Sequence, residues 1–369
     1  MIDLDVHGIV RVRLVNPTAC DTAALAKQLG PTQAPLNQEP DIIVRFQERF
    51  STPVLKYLGL NSSAFTDEGF YLLGKNSGAV EARIPFDEIG GQCQIVCRSG
   101  LGSVPLLFDI IRLTFLSKNY IPLHASAFSY NGAGILAVGW TKGGKTEALL
   151  SFANHDAHYV GDEWVILSNN GQKMFGLPIA LAIWDWQFKH IPKLMPKVSL
   201  QKKFLFNSIY LLDAAHRTFG RGRLQKSLPF QMLGKALPSI KRQLNIRVLP
   251  QEIFENGHYT PAAPLDKVLL LVSHSEPSIR VEAYDPREIA WRMANSNEFE
   301  QMDFFEYYRA FKFAFPHREN QFLEEVNGLQ RSLLARALEG KEAYKVLHPY
   351  PVSFESLFKH LEPICRKAV

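Results

Sequence analysis

The stretch Gly134-Ile-Leu-Ala-Val138, Gly139-Trp-Thr-Lys-Gly-Gly-Lys-Thr146, Glu147-Ala-Leu-Leu-Ser-Phe152 decides the fold. Its middle fits the phosphate-loop pattern G-x-x-x-x-G-K-[ST]. The apolar run before it predicts a buried strand and the run after it the first turns of a helix, which is the context the motif requires. Glycines let backbone N–H groups close round phosphate oxygens without Cβ interference. The helix N-terminus adds partial positive charge where an anion would sit. In such a loop Lys145 reaches the β- and γ-phosphates and the Thr146 hydroxyl ligates Mg²⁺. The structural alternative is a strand–turn–helix corner that fits the pattern by chance.

Working outward on the N-terminal side, Ile121 to Phe128 reads as a strand that a tight Asn131-Gly132 turn joins to the loop strand. Asn-Gly between apolar runs is a strong hairpin signal. Before it, Leu107, Ile110, Ile111, Thr114 and Phe115 recur at helical spacing between Val104 and Asn119, with Pro105 where a helix can begin. The first hundred residues read as β-rich: 6–15, 41–46 and 80–84 are short apolar or alternating runs, with turn-rich pieces at 31–35 and 74–78. They hold no catalytic constellation and predict an accessory domain over 1–102.

On the C-terminal side, Ala157 to Val160 reads as a strand ending in Gly161-Asp162-Glu163, and Trp164 to Leu167 as its resumption. An apolar strand capped by two acids shortly after the lysine suits Mg²⁺-ATP chemistry. One carboxylate can hold the metal or its waters and the other can take a proton from an acceptor hydroxyl. Otherwise the pair is an acidic surface turn.

With these residues in place, Leu123 to Leu167 resembles the HPr kinase/phosphorylase superfamily of bacterial serine kinases. The resemblance rests on Leu123-His124 before the hairpin, the loop ending Gly144-Lys145-Thr146-Glu147, the acids Asp162-Glu163, and the spacings between them. It implies an α/β fold with a P-loop kinase core of HPr kinase/PEP carboxykinase-like type. It also implies Asp162 as the base that accepts the hydroxyl proton, and a metal role for Glu163, where many members carry a second Asp. His124 would hydrogen-bond the transferred phosphoryl group or tune Asp162; its structural alternative is a satisfied core histidine. Gly139, Lys142, Gly143, Gly144, Lys145, Thr146 and Glu147 are the candidate nucleotide-binding residues. Asp162, Lys145 and His124 are the catalytic candidates, and Thr146 and Glu163 the metal holders. The sequence departs from the family downstream. In place of a Glu-Ile-Arg-Gly-type run it has Met174-Phe-Gly-Leu-Pro-Ile-Ala-Leu-Ala-Ile-Trp-Asp-Trp186, which argues against HPr as acceptor and against phosphorylase activity. Diverged members that modify peptides or small molecules are the nearer analogy.

The rest is plainer. Trp184 and Trp186 either line a pocket or pack in the core. Residues 194–250 mix Pro, Lys and Arg without clean periodicity and predict an insertion or lid over the core at 103–285. Asp266 to Ser273 reads as a central strand, and Asp285-Pro286 as a helix start. The aromatics between Phe304 and Phe315 predict packing rather than base stacking. Residues 321–338 predict a helix, and the end from Val346 a short strand plus helix, within a helical C-terminal region at 286–369.

Composition sets outer limits. Hydrophobic residues make up 46% of the chain and charged residues 21%, ordinary values for a globular protein. No apolar run approaches the roughly 20 residues that span a bilayer, and the first residues lack a signal-peptide pattern. The four cysteines are scattered; Cys93 and Cys97 read as small core residues on one strand face rather than a metal pair. The expectation is a cytoplasmic protein with no membrane partner. A formal charge of +5 is mild, and the basic clusters at Arg217 to Arg223 and Lys241-Arg242 read as solvated loops or as contacts to ATP or an anionic acceptor. No recognition module for nucleic acid is visible.

The predicted activity is therefore Mg²⁺-ATP-dependent phosphoryl transfer to a hydroxyl, on a protein or peptide serine or on a small molecule. The alternatives are a nucleotide-binding regulatory or scaffold protein, an ATPase whose acceptor is water, and a carboxykinase-like reaction on an organic acid. The oligomeric state is open, hexamers being known in the resembling family.

Overall fold

Three strands lie side by side and parallel at the centre of the chain: Ala133–Val138, Lys267–His274 and Glu342–Pro349. The middle one is buried at five consecutive positions, four of them apolar from Val268 to Leu271, as suits a strand covered on both faces. In the computed structural model, residues 1–30, 32–51, 54–59, 62–177, 179–219, 228–254 and 259–367 are described. The protein is mixed α/β and divides into two compact units, Met1–Ile179 with His258–Val369, and Ala180–Gly257. Residues 1–102 and 286–369 fall in the same unit as the loop.

In the first unit, antiparallel strands Ser126–Tyr130, His158–Gly161 and Arg280–Ala283 complete a six-stranded sheet round the parallel trio. The Asn131-Gly132 turn joins Tyr130 to Ala133 with both turn residues at positive φ, 46° and 77°, the geometry of a tight hairpin. A four-stranded antiparallel sheet orders Ala262–Pro264, Lys173–Gly176, Val165–Leu167 and Ile121–Leu123. Residues 121–128 therefore do not form one strand. The chain leaves the small sheet after Leu123 and enters the large one at Ser126, which turns His124 and Ala125 into a crossing.

The first hundred residues build an eight-stranded mixed sheet on which Cys93 and Cys97 are both buried. One helix, Ala19–Leu29, escaped the sequence reading although Thr18 and Asp21 form its capping box. The buried cluster runs unbroken from Leu4 through Ile110 to Val138 and Ala343, so this sheet shares its core with the loop-bearing part. Phe86 anchors the join, with Phe304, Tyr308 and Phe311 of the helix Met302–Ala314 at ring distances of 5.4, 5.9 and 5.4 Å. Each such pair adds about 0.5–1.5 kcal/mol beyond burial, and the aromatic helix face is packing, as its spacing predicts.

In the second unit, strands Leu181–Trp184 and Asn245–Val248 pair antiparallel, and helices occupy Leu200–Phe219 and Leu228–Lys241. The aperiodic reading of 194–250 missed both. Trp184 and Trp186 belong to this unit. Of the basic cluster, Arg217 and Lys241 both pair with Asp213, at 2.8 and 2.6 Å; Arg221 and Arg223 lie outside the described residues. No helix among the described residues is long and apolar enough to cross a membrane.

Candidate active site

The loop follows its strand directly, and Lys145 opens the helix Lys145–Ser151. Two glycines are required by close approach. A Cβ on Gly139 would stand 2.5 Å from the Leu271 carbonyl oxygen, and one on Gly144, at φ 100°, 2.2 Å from His348 Nε2. His348 is fully buried under the loop and donates from Nε2 to the Gly143 carbonyl at 2.8 Å. Strand Glu342–Pro349 thus supports the loop from below. Lys142 holds φ 61° in the loop crown, a left-handed conformation that non-glycine residues adopt at a cost.

Lys145 is 6% exposed and folds back so that Nζ donates to the Gly139 and Trp140 carbonyls, at 3.2 and 3.0 Å. Burial lowers its pKa, and the carboxylates of Glu300, Asp162, Glu163 and Glu147 oppose that shift. The ammonium is thus held by two backbone carbonyls with carboxylates nearby, an arrangement whose carbonyl bonds an anion's oxygens could replace.

The acids sit at a second crossing. Strand His158–Gly161 belongs to the six-stranded sheet and Val165–Leu167 to the small one, so Asp162, Glu163 and Trp164 bridge the two sheets. Leu123 pairs with Val165, and Ala127 with Gly161. The two crossings therefore run antiparallel, side by side, and bring His124 and Ser126 to the acid pair. The register shifts between Ala127 and Phe128, the kind of irregularity that re-aims side chains beside functional sites. Glu163 holds φ 67° there.

Asp162 is 4% exposed. The Thr146 hydroxyl donates to it at 3.1 Å, and the Ser126 hydroxyl donates to the same Oδ1. Burial, then the Glu163 charge, push the Asp162 carboxyl up to about 6, while Ser126, Thr146 and His124 pull it down. His124 lies between carboxylates. Its Nδ1 hydrogen donates to Glu300, and Nε2 stands 3.4 Å from Glu163. Burial would raise the Glu300 pKa, yet the His124 hydrogen bond and the charges of His124, Arg112 and Lys145 bring it below the usual range. Arg112 is buried 3.6 Å from Glu300, its guanidinium 4.0 Å over the Trp164 ring.

The structure thus gathers Lys145, Thr146, Asp162, Glu163 and His124 round the loop mouth. Thr146 bonds Asp162, while the Glu163 carboxylate turns to His124. Glu147 is buried on the loop helix and Lys142 exposed on the crown. Three partners were not found from the sequence: Ser126, Glu300 and Arg112. Ser126 lies just past the crossing that carries His124, at the start of the next strand, and no pattern in the sequence singles it out. The oxygen donors of Thr146, Asp162 and Glu163 suit a hard cation such as Mg²⁺. Among the described residues no three His, Cys, Asp or Glu side chains form a metal cage by themselves.

No known protein family matches the chain, and no curated protein is detectably similar to it.

Proposed function

We propose that the chain is a Mg²⁺-ATP-dependent phosphotransferase with a P-loop core of the HPr kinase type, acting on a hydroxyl. The observation that carries the reading is Asp162: a buried carboxyl pushed up to about 6 beside the loop, bonded to the loop's own Thr146. A general base works best with a pKa near the working pH, and perturbed carboxyls in clefts mark functional sites.

The loop amides and Lys145 hold the triphosphate, with the Lys145 ammonium moving from the Gly139 and Trp140 carbonyls to the β- and γ-phosphates. Thr146 and Glu163 would hold the cation, and Mg²⁺, when bound, would neutralise charge on the phosphates. Asp162 takes the proton of the acceptor hydroxyl as its oxygen bonds the γ-phosphorus. The bond from that phosphorus to the β–γ bridging oxygen breaks, and ADP leaves with the electron pair. His124, aimed by Glu300, keeps Nε2 toward Glu163 and the loop mouth and so helps to position the carboxylates there. Catalysis of this kind is mostly positioning and charge neutralisation.

Incubation with γ-labelled ATP and cell extract, separated into protein and metabolite fractions, tests the reading. Label in an acceptor supports it. Release of free phosphate alone would make water the acceptor, and unchanged ATP would make the protein a nucleotide binder.

A further inference from the structure

Against the loop lies a cavity of about 590 Å³, within the size range of small-ligand sites. Its walls are the loop from Gly139 to Gly143, the strand end from Leu270 to Ser273, and the middle of the helix Pro286–Glu300. None of His124, Asp162 and Glu163 lines it. Leu271 and Met293 form a buried apolar floor, yet the rim carries two indoles open to solvent, Trp291 at 61% and Trp140 at 52% exposure. Large aromatic surface left exposed round a pocket marks a binding site rather than a core. A polar group accompanies it. The Asn295 side-chain amide donates to the Trp291 carbonyl at 2.7 Å, which leaves Oδ1 without a hydrogen bond among the described residues, an acceptor for an exocyclic amine.

The helix links this cavity to the acid cluster. Trp291 and Asn295 face the cavity, while Glu300 at the helix end meets His124. At 1.5 Å rise per residue the two points lie roughly 8 to 14 Å apart along the axis, a span that a ribose and its phosphates bridge. A triphosphate in the loop has two ends. The γ-phosphoryl end belongs with Asp162 and His124, so the other end must leave on a side those residues do not occupy. From this we infer that the cavity takes the nucleoside of the bound triphosphate, its base laid on the Trp291 indole and its exocyclic amine on Asn295. The inference rests on the loop holding a triphosphate, as proposed above. Stacking on an aromatic tolerates any base because every base has a π-face; Asn295 favours one with an amine.

Calorimetric titration with Mg-tripolyphosphate, and with the nucleotides MgATP and MgGTP, tests the assignment on the full chain. Trp291→Ala should weaken nucleotide binding about tenfold and leave tripolyphosphate binding unchanged; Trp291→Phe should restore most of the loss. Asn295→Ala should weaken the nucleotide with the amine more than the one without it at that position. Trp291 is exposed, so an unchanged melting temperature shows that the fold survives. If the variants weaken both ligands equally, or neither, the cavity does not hold the nucleoside, while the triphosphate cradle stands. If the wild-type chain binds neither ligand, the cradle itself is refuted and the nucleoside subsite with it.

Discussion

The Glu300 carboxylate accepts the Nδ1 hydrogen of His124, which lies 176 positions earlier in the chain. That bond selects the His124 tautomer and leaves Nε2 toward Glu163 and the loop mouth, since the hydrogen bond made by one ring nitrogen fixes the state of the other. Glu300→Gln replaces an acceptor by a group that can turn either way. The expected result is a kcat about tenfold lower with the KM for ATP unchanged, since orientation rather than binding is lost. Nitrogen-15 spectra of the imidazoles should show the His124 tautomer becoming mixed. An unchanged spectrum would mean that Glu300 does not orient the ring.

Asp162 makes the pH dependence specific. Ionised, it would be the base of the proposed transfer, so turnover should fall as pH drops through about 6. Asp162→Asn should lower turnover about 10²- to 10⁴-fold while nucleotide binding persists. The stability sign is opposite to that of a salt-bridged carboxylate. The folded pKa lies above the ordinary value of 3.8, so between pH 4 and 6 the folded state binds more protons than the unfolded. Stability therefore falls as pH rises through this window, by roughly 3 kcal/mol in all. Asp162→Asn should accordingly raise the melting temperature at pH 7.5, with the gain shrinking toward pH 4. A gain independent of pH would show that the Asp162 carboxyl is not raised.

What the sequence made legible was local. Strand, loop and helix from Gly134 to Phe152 are contiguous, and the Asn131-Gly132 turn is written in the two residues that make it. The helix at 321–338 and the strand at 267–274 have the periods of their elements. The site's second layer is not local. Glu300 reaches His124 from the end of a helix whose own pattern concerns packing, and Arg112 sits on an amphipathic helix where a buried arginine breaks the apolar face. The break after Leu123 also resists sequence reading. Residues 121–128 are mostly apolar, with only His124 and Ser126 polar, and it is pairing with Val165 on one side and Gly161 on the other that divides them.

Gly144 offers a test of how the loop is supported. Gly144→Ala places a methyl 2.2 Å from the His348 ring at φ 100°, adding overpacking to backbone strain. The loss expected is about 1–3 kcal/mol, read by urea denaturation, together with weakened nucleotide binding. His348→Ala in the same chain removes the clash but not the strain, so it should restore part of the loss. Full restoration would show that the backbone at Gly144 is unstrained.

Arg112 and Glu300 supply the last test, because replacing either removes one charge from a buried pair. Their groups stand 3.6 Å apart, and burial depresses the Arg112 pKa against the pull of Glu300 and Asp109. Removing one member of such a pair costs about 3–5 kcal/mol, whereas removing both is far cheaper. Arg112→Met alone should therefore destabilise strongly, and Glu300→Gln less, since Arg112 keeps Asp109 at 3.7 Å. The double variant should recover about 1–3 kcal/mol relative to the sum of the singles, the usual size of coupling between contacting groups. It should also keep the Trp164 stack, since the Met side chain can cover the same ring face. Strict additivity in urea denaturation would mean that Arg112 serves the Trp164 face alone, and that His124 is held by Glu300 without a cation behind it.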